Sequence, residues 1–257
     1  MTTSSRGMAS PSSSASEPAA NVSAGRRREG ASQRIGVLSR VWAVTAKDAT
    51  QEFRRRIALA SVLFFAATSL TLVSYAIGPL GVPPGARESV SSAVLWIILF
   101  FAAATGLPRS YILEEETGTA LALRRAVSPI VVLAGKTLFN FALFLAIAVV
   151  VVPGLVVLLE WTVASWAALA GIILLAGFGL AVVSTFLSAL VARASQKSVL
   201  FVVLAFPVLV PLLLSAIAAT IEASRGSLAS TAIQVLVAYD GAAACGAYLL
   251  VGAAWEE

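Results

Sequence analysis

From residue 57 onward the chain alternates long apolar runs with short polar breaks. Six runs approach the roughly 20 residues that cross a bilayer as a helix. They are Ile57–Ile77, Val90–Leu107, Val131–Leu159, Trp166–Ala192, Val199–Ile221 and Ile233–Trp255. The third and fourth are long, which predicts tilt or extension beyond the bilayer. Upstream, residues 34–56 carry a different pattern. Ile35, Leu38, Trp42, Ala46, Ala49 and Phe53 recur at spacings of three and four, the mark of one helical face. Arg40, Lys47 and Arg54 lie elsewhere on the wheel, Asp48 follows Lys47, and Arg54–Arg55–Arg56 closes the segment. This predicts an amphipathic helix lying in the membrane interface and leading into the first span.

Residues 1–33 are rich in Ser, Ala and Gly, with an Arg26–Arg27–Arg28 cluster and almost no large apolar side chain. Such a segment buries too little to offset its ordering entropy and is expected to be disordered. It lacks the apolar core of a secretory signal, although its Arg- and Ser-rich, acid-poor character also resembles a transit peptide. The expected organisation is therefore a tail over 1–33, an interfacial helix over 34–56 and a six-span, all-α membrane domain over 57–257.

Composition agrees with the pattern. Of the 257 residues, 59% are hydrophobic and 12% charged, with a mean hydropathy of +0.92. Soluble domains carry about a quarter charged residues, so a water-soluble globule is excluded. The net charge of +5 sits beside the apolar runs and does not form a nucleic-acid face. If the runs alternate across a membrane, only Arg87 and Arg225 of the 18 Lys and Arg fall on the side opposite the N-terminus. The positive-inside rule then puts both termini and the loops after the second and fourth spans in the cytosol.

The polar stretch Arg109–Lys136, RSYILEEETGTALALRRAVSPIVVLAGK, is the longest interruption of the apolar sequence. Glu114, Glu115 and Glu116 are consecutive and would fan out around a helix, either as a solvated face or as a contact for a basic groove on a partner. Gly118–Thr119 reads as a helix stop followed by an N-cap, and Ser128–Pro129 as an N-cap with a first-turn proline. The loop is expected to be a helical elbow, the form a mechanical link to a soluble motor needs.

Proline and intramembrane charge mark further positions. Pro153–Gly154 falls inside the third run, and Pro207 and Pro211 lie four apart in the fifth. Either these are packing kinks, or the fifth span breaks and Ala218–Ser230 forms a re-entrant element. Asp240 is the carboxylate well inside a span. It is either functional or hydrated near the outer third. Glu160 and Trp161 read as an interfacial cap and a member of an aromatic belt.

Several chemistries are missing. Ala134–Gly135–Lys136–Thr137 matches only the tail of a P-loop: Ile130 stands where the leading glycine belongs, and the stretch runs into a span. Lys136 reads instead as an interface anchor. The sequence contains no histidine and a single cysteine, Cys245, so no Ser–His or Cys–His dyad and no imidazole or Cys zinc site can be assembled. A non-enzymatic membrane subunit is expected.

Three blocks resemble a known family. AKDATQEFRRRIALASVLFFAATSLTLVSYAIGP resembles the start of the haem exporter permease subunit of cytochrome c maturation, CcmB. YILEEETGTALALRRAVSPIVVLAGK is similar to its cytosolic loop, and FGLAVVSTFLSALVARASQKSVLFVVLAFPVLVPLLL to its fourth and fifth spans, with both prolines. The blocks occur in the family's order over residues 40–255, and the six-span plan is shared with wider ABC-2-type permeases. The serine-rich tail is longer than the family's, and LALRR replaces a more apolar stretch.

The resemblance implies an inner-membrane permease, paired with a second copy and driven by a separate ATPase subunit (CcmA-like). It also implies a haem-handling membrane subunit (CcmC-like) and a haem chaperone (CcmE-like) as partners. No cofactor is expected to bind this chain directly. ATP belongs to the partner, and haem iron, usually held by His, Cys, Met or Tyr, is expected on partner subunits. The alternatives are an ABC-2 exporter of a drug, lipid or polysaccharide, and a membrane scaffold without a transport cycle.

Overall fold

The computed structural model describes residues 36–52, 56–81, 83–106, 127–192, 194, 197–227 and 230–256. Met1–Ser39 and Arg40–Glu257 form separate units. Of the first, residues 36–39 are described, a helical turn in which Ser39 Oγ donates to the Gly36 carbonyl at 3.0 Å. In the second, all regular structure among the described residues is helical. Helix α1 covers residues 40–52, and α2 is Arg56–Gly81. A 3-10 turn at Pro84–Ala86 leads into α3 (Arg87–Gly106). There follow α4 (Pro129–Leu158), α5 (Trp166–Val191), α6 (Lys197–Arg225) and α7 (Ser230–Glu256).

Among the described residues, α3 to α7 are five helices long and apolar enough to cross a membrane, and α2 is an apolar helix over Ala60–Ala76. Helix α5 packs against α4, α6 and α7, while α3 packs against α2, α4 and α6. Between apolar helices in lipid there is little hydrophobic drive, so close backbone approach and specific contacts must hold the bundle. Glycine supplies the approach. A Cβ at Gly106 would meet Val62 and Leu143, one at Gly154 would run into Leu70, and one at Gly177 into the Phe144 ring. Trp96 of α3 then fixes three helices at once. Its ring stacks on Phe144 of α4 at 6.4 Å, and its indole N–H donates to Thr220 Oγ1 of α6 at 2.9 Å.

At one end of the bundle the α4–α5 connection folds over α6. The N–H groups of Ala164 and Ser165 donate to the carbonyls of Ser224 and Ala223, satisfying acceptors that the end of a helix leaves open. Ser165 caps α5 by accepting from Ala168 N at 3.3 Å, and Gly226 closes α6 at φ 81°. Glu160 of this connection faces Arg87 at 3.5 Å. Trp161 departs from the aromatic-belt expectation: it is buried in the main core, because the returning loop carries it inward over the end of the helices.

The prolines do not break their helices. Helix α4 runs through Pro153, and α6 runs through Pro207 and Pro211. No re-entrant element forms over Ala218–Ser230, since residues up to Arg225 complete α6 and Ser230 opens α7. The buried stripe of α6 (Phe201, Ala205, Leu209, Leu212, Ala216) leaves both proline rings on the exposed face. The turn that the Pro211 ring crowds finds a partner from outside its helix: the Tyr239 hydroxyl of α7 donates to the Val208 carbonyl at 2.7 Å.

Candidate functional site

The most strongly charged interior point lies where α1 meets the first turns of α4. Ser128 takes the N-cap position of α4, with φ −65° and ψ 149°, and Pro129 follows in the first turn, as their sequence predicts. The Ser128 hydroxyl makes no cap bond; its carbonyl accepts from Val131 and Val132 instead. Two turns on, Lys136 is fully buried. Its Nζ lies 3.0 Å from Asp48 Oδ2 of α1, with side chains 0% and 1% exposed. Lys47 approaches the other oxygen, Oδ1, at 3.4 Å from a half-exposed position.

Adjacent contacts hold the helices at this register. The Thr45 hydroxyl lies 2.9 Å from the Gly135 carbonyl and 3.0 Å from that of Val41, and serves both. A Cβ at Gly135 would stand 2.7 Å from Val44 Cβ and 3.0 Å from the Val41 carbonyl, so only glycine admits α1 this closely. The stretch that looked like a P-loop remnant thus has a packing role, with Gly135 for approach and Lys136 for charge. Lys136 is accordingly not an interface anchor. It points into the protein because Asp48 offers a buried counter-charge. Removing one partner of such a pair costs about 3–5 kcal/mol, since the other charge stays buried and bare.

Helix α1 therefore presents two faces. Val44, Thr45 and Asp48 pack inward, while Trp42 on the expected apolar face is 66% exposed and Ala49 half-buried. Leu38 is also exposed. The sequence periodicity found the exposed apolar face but missed the inward one. The available signal was Asp48 itself, an acid on a segment otherwise rich in arginine and lysine.

One turn beyond Lys136, Asn140 is wholly buried and donates from Nδ2 to Thr185 Oγ1 of α5 at 2.8 Å. The Thr185 hydroxyl donates to the Ala181 carbonyl, and the Ser188 hydroxyl donates back to the carbonyls of Ser184 and Thr185. Polar groups thus continue from the α1 contact into the α4–α5 interface. Asp240 lies elsewhere, between α7 and α5. Ten residues into α7, it sits about 15 Å along that helix. It is 6% exposed, and neither carboxylate oxygen has a hydrogen-bond partner among the described residues. Its Oδ1 occupies the space a side chain at Gly179 would fill.

Glu114, Glu115, Glu116, Gly118 and Thr119 lie outside the described residues, as do Phe53 and Arg54 of the segment leading to the first span. Among the described residues no group of His, Cys, Asp and Glu side chains is arranged to hold a metal ion. Surface clefts are apolar: one of about 420 Å³ lies between α4 and α5, lined by residues such as Val152, Trp166 and Ile173.

Long apolar helices, close glycine contacts and polar pairs turned inward are the features of a multi-pass membrane protein. The family of CcmB proteins matches residues 39–255, and the chain belongs to that family. It is thereby the membrane permease component of a transporter within a Ccm ABC complex. No curated protein matches the chain.

Proposed function

We propose that this chain couples ATP hydrolysis by a separate, CcmA-like subunit to haem export or to release of a loaded haem chaperone on the outer face during cytochrome c maturation. The family match over residues 39–255 carries the reading. Helix α2 is the first of six spans, and α1 lies in the cytoplasmic interface of the inner membrane with Trp42 toward lipid. The charge asymmetry supports cytosolic termini, because only Arg87 and Arg225 would lie outside. Residues 109–136 dock on the ATPase through Glu114 to Thr119, and Ser128–Pro129 hands the contact to α4. Two copies of the chain form the permease. Haem iron is ligated by CcmC-like and CcmE-like partners, in keeping with a sequence that contains no histidine.

The test is co-purification. The wild-type chain should recover an ATPase subunit, and Glu114→Lys with Glu115→Lys and Glu116→Lys should lower that recovery at least tenfold while the chain remains in the membrane. Undiminished recovery would sink the docking assignment. Intact docking with normal cytochrome c assembly in cells lacking the chain would point to export of another substrate.

A further inference from the structure

Lys136 of the buried pair is the last residue of the stretch 109–136 and lies two turns into α4. We infer that Asp48–Lys136 clamps α1 to the first turns of α4, so that a displacement entering at Ser128–Pro129 reaches α1 as motion of one rigid unit. Asp48 and Lys136 are then positioning residues in the transfer of work from ATPase to membrane. The inference rests on residues 109–136 being the ATPase-docking loop.

Lys136 stands seven residues after Pro129 on an uninterrupted helix, about 10 Å along its axis. Through that length α4 is a stiff lever, and its contact with α1 decides where motion goes next. Three features of one turn of α1 grip two residues of α4: Val44 against Gly135, the Thr45 hydroxyl on the Gly135 carbonyl, and Asp48 on Lys136. Apolar packing alone would permit sliding, because one methyl replaces another at little cost. A charge pair with both members at most 1% exposed does not slide, since a shift of one turn would leave two bare charges away from water. Well-packed apolar residues of similar volume stabilise at least as well as such a pair. What the charges add is a single register between the two helices. Lys47, 3.4 Å from the free carboxylate oxygen, reinforces that register from the surface.

The test separates holding the fold together from transmitting work. The complex with its ATPase subunit is purified with wild-type chain, with Asp48→Asn, with Lys136→Met and with both changes together. Each single change strands one buried partner and is expected to reduce recovery of folded complex. The double change removes the mismatch and should restore recovery and ATP hydrolysis. Cytochrome c assembly in cells, relative to ATP hydrolysis by the purified complex, is expected to fall at least fivefold in the double variant. An unchanged ratio would overturn the clamp and leave the pair a structural contact.

A second measurement does not depend on the double variant folding. With Cys245→Ser as background, spin labels at Ala43→Cys on α1 and Ile130→Cys on α4, both exposed positions, report the distance between the two helices. A single distance, unchanged between nucleotide-free and ATP-bound complexes, is expected; a distance that shifts with ATP overturns the clamp. Failure of the wild-type chain to recover any ATPase would overturn the docking reading itself, and the clamp with it. A wild-type complex that forms but shows either contrary result above overturns the clamp alone.

Discussion

Asp240 puts a buried carboxylate on α7 with neither oxygen bonded among the described residues. Taking an unpartnered polar group out of water costs about 1–3 kcal/mol, and more when it is charged. Asp240→Asn keeps the shape and removes the charge, so it should raise the thermal unfolding midpoint of the detergent-solubilised protein. A lowered midpoint would mean that the charge is compensated by something outside this chain. If the carboxylate serves transport, the same variant should lose cytochrome c assembly while gaining stability, the usual trade at a functional residue. Gly179 tests the geometry independently. Gly179→Ala drives a methyl into the Asp240 carboxylate, whereas Gly171→Ala meets nothing within 4 Å. The first should destabilise by about 1–3 kcal/mol and the second by no more than about 0.5 kcal/mol, read as shifts in the same unfolding midpoint. Asp240→Ala combined with Gly179→Ala should recover part of the loss, because the two side chains compete for one space.

Helix boundaries show what the sequence could and could not reveal. Apolar run length located α3 to α7 to within a few residues, since a bilayer-length stretch without charge has few other uses. Ser128–Pro129 and the continuation of α4 were legible from local backbone chemistry. The fate of Trp161 was not. A tryptophan at the end of an apolar run reads as an interfacial residue, and only the return of residues 159–165 over the end of α6 turns it inward. The Asp48–Lys136 pair was hidden for a related reason: its members are 88 residues apart, and each taken singly resembles a surface charge. The α4–α5 connection also makes a prediction at the scale of elements. Ser165→Ala removes the acceptor for Ala168 N at the start of α5 and should cost about 0.5–2 kcal/mol. Because Ser165 N also bonds the Ala223 carbonyl, which the substitution leaves in place, the effect should fall near the lower limit. A loss well above that range would show that the hydroxyl also fixes the docking of α6.

At the scale of the molecule, the two ends of the bundle differ in charge in a way that predicts its orientation. The end built by the α4–α5 connection and the 3-10 turn carries Arg87, Glu88, Glu160, Glu222 and Arg225, so its two basic residues stand beside three acids. The sequence at the end where α1 meets α4 carries an excess of Lys and Arg: Arg40 and Lys47 of α1 are offset by Asp48 and Glu52, and Arg54, Arg55, Arg56 and Lys136 add to them. Moving that second end across an energised membrane would carry several positive charges against the potential, at about 2.3 kcal/mol per charge per 100 mV. The arrangement with α1 inside is therefore expected to be the only one populated, and cysteine accessibility decides it. In a Cys245→Ser background, Gly85→Cys lies on an exposed turn with nothing within 4 Å, and Thr50→Cys lies on the exposed side of α1. A membrane-impermeant maleimide added to intact cells stripped of any outer envelope should label residue 85 and leave residue 50 unlabelled until the membrane is opened. The reverse pattern would put α1 outside, away from any cytosolic ATPase, and the docking loop and the clamp would fall together. Labelling of both positions in intact cells would mean that α2, which separates them, does not cross the membrane, contradicting the span assigned to α2. Only the expected pattern lets residues 109–128, which lie between α3 and α4 in the sequence, face the compartment that supplies ATP.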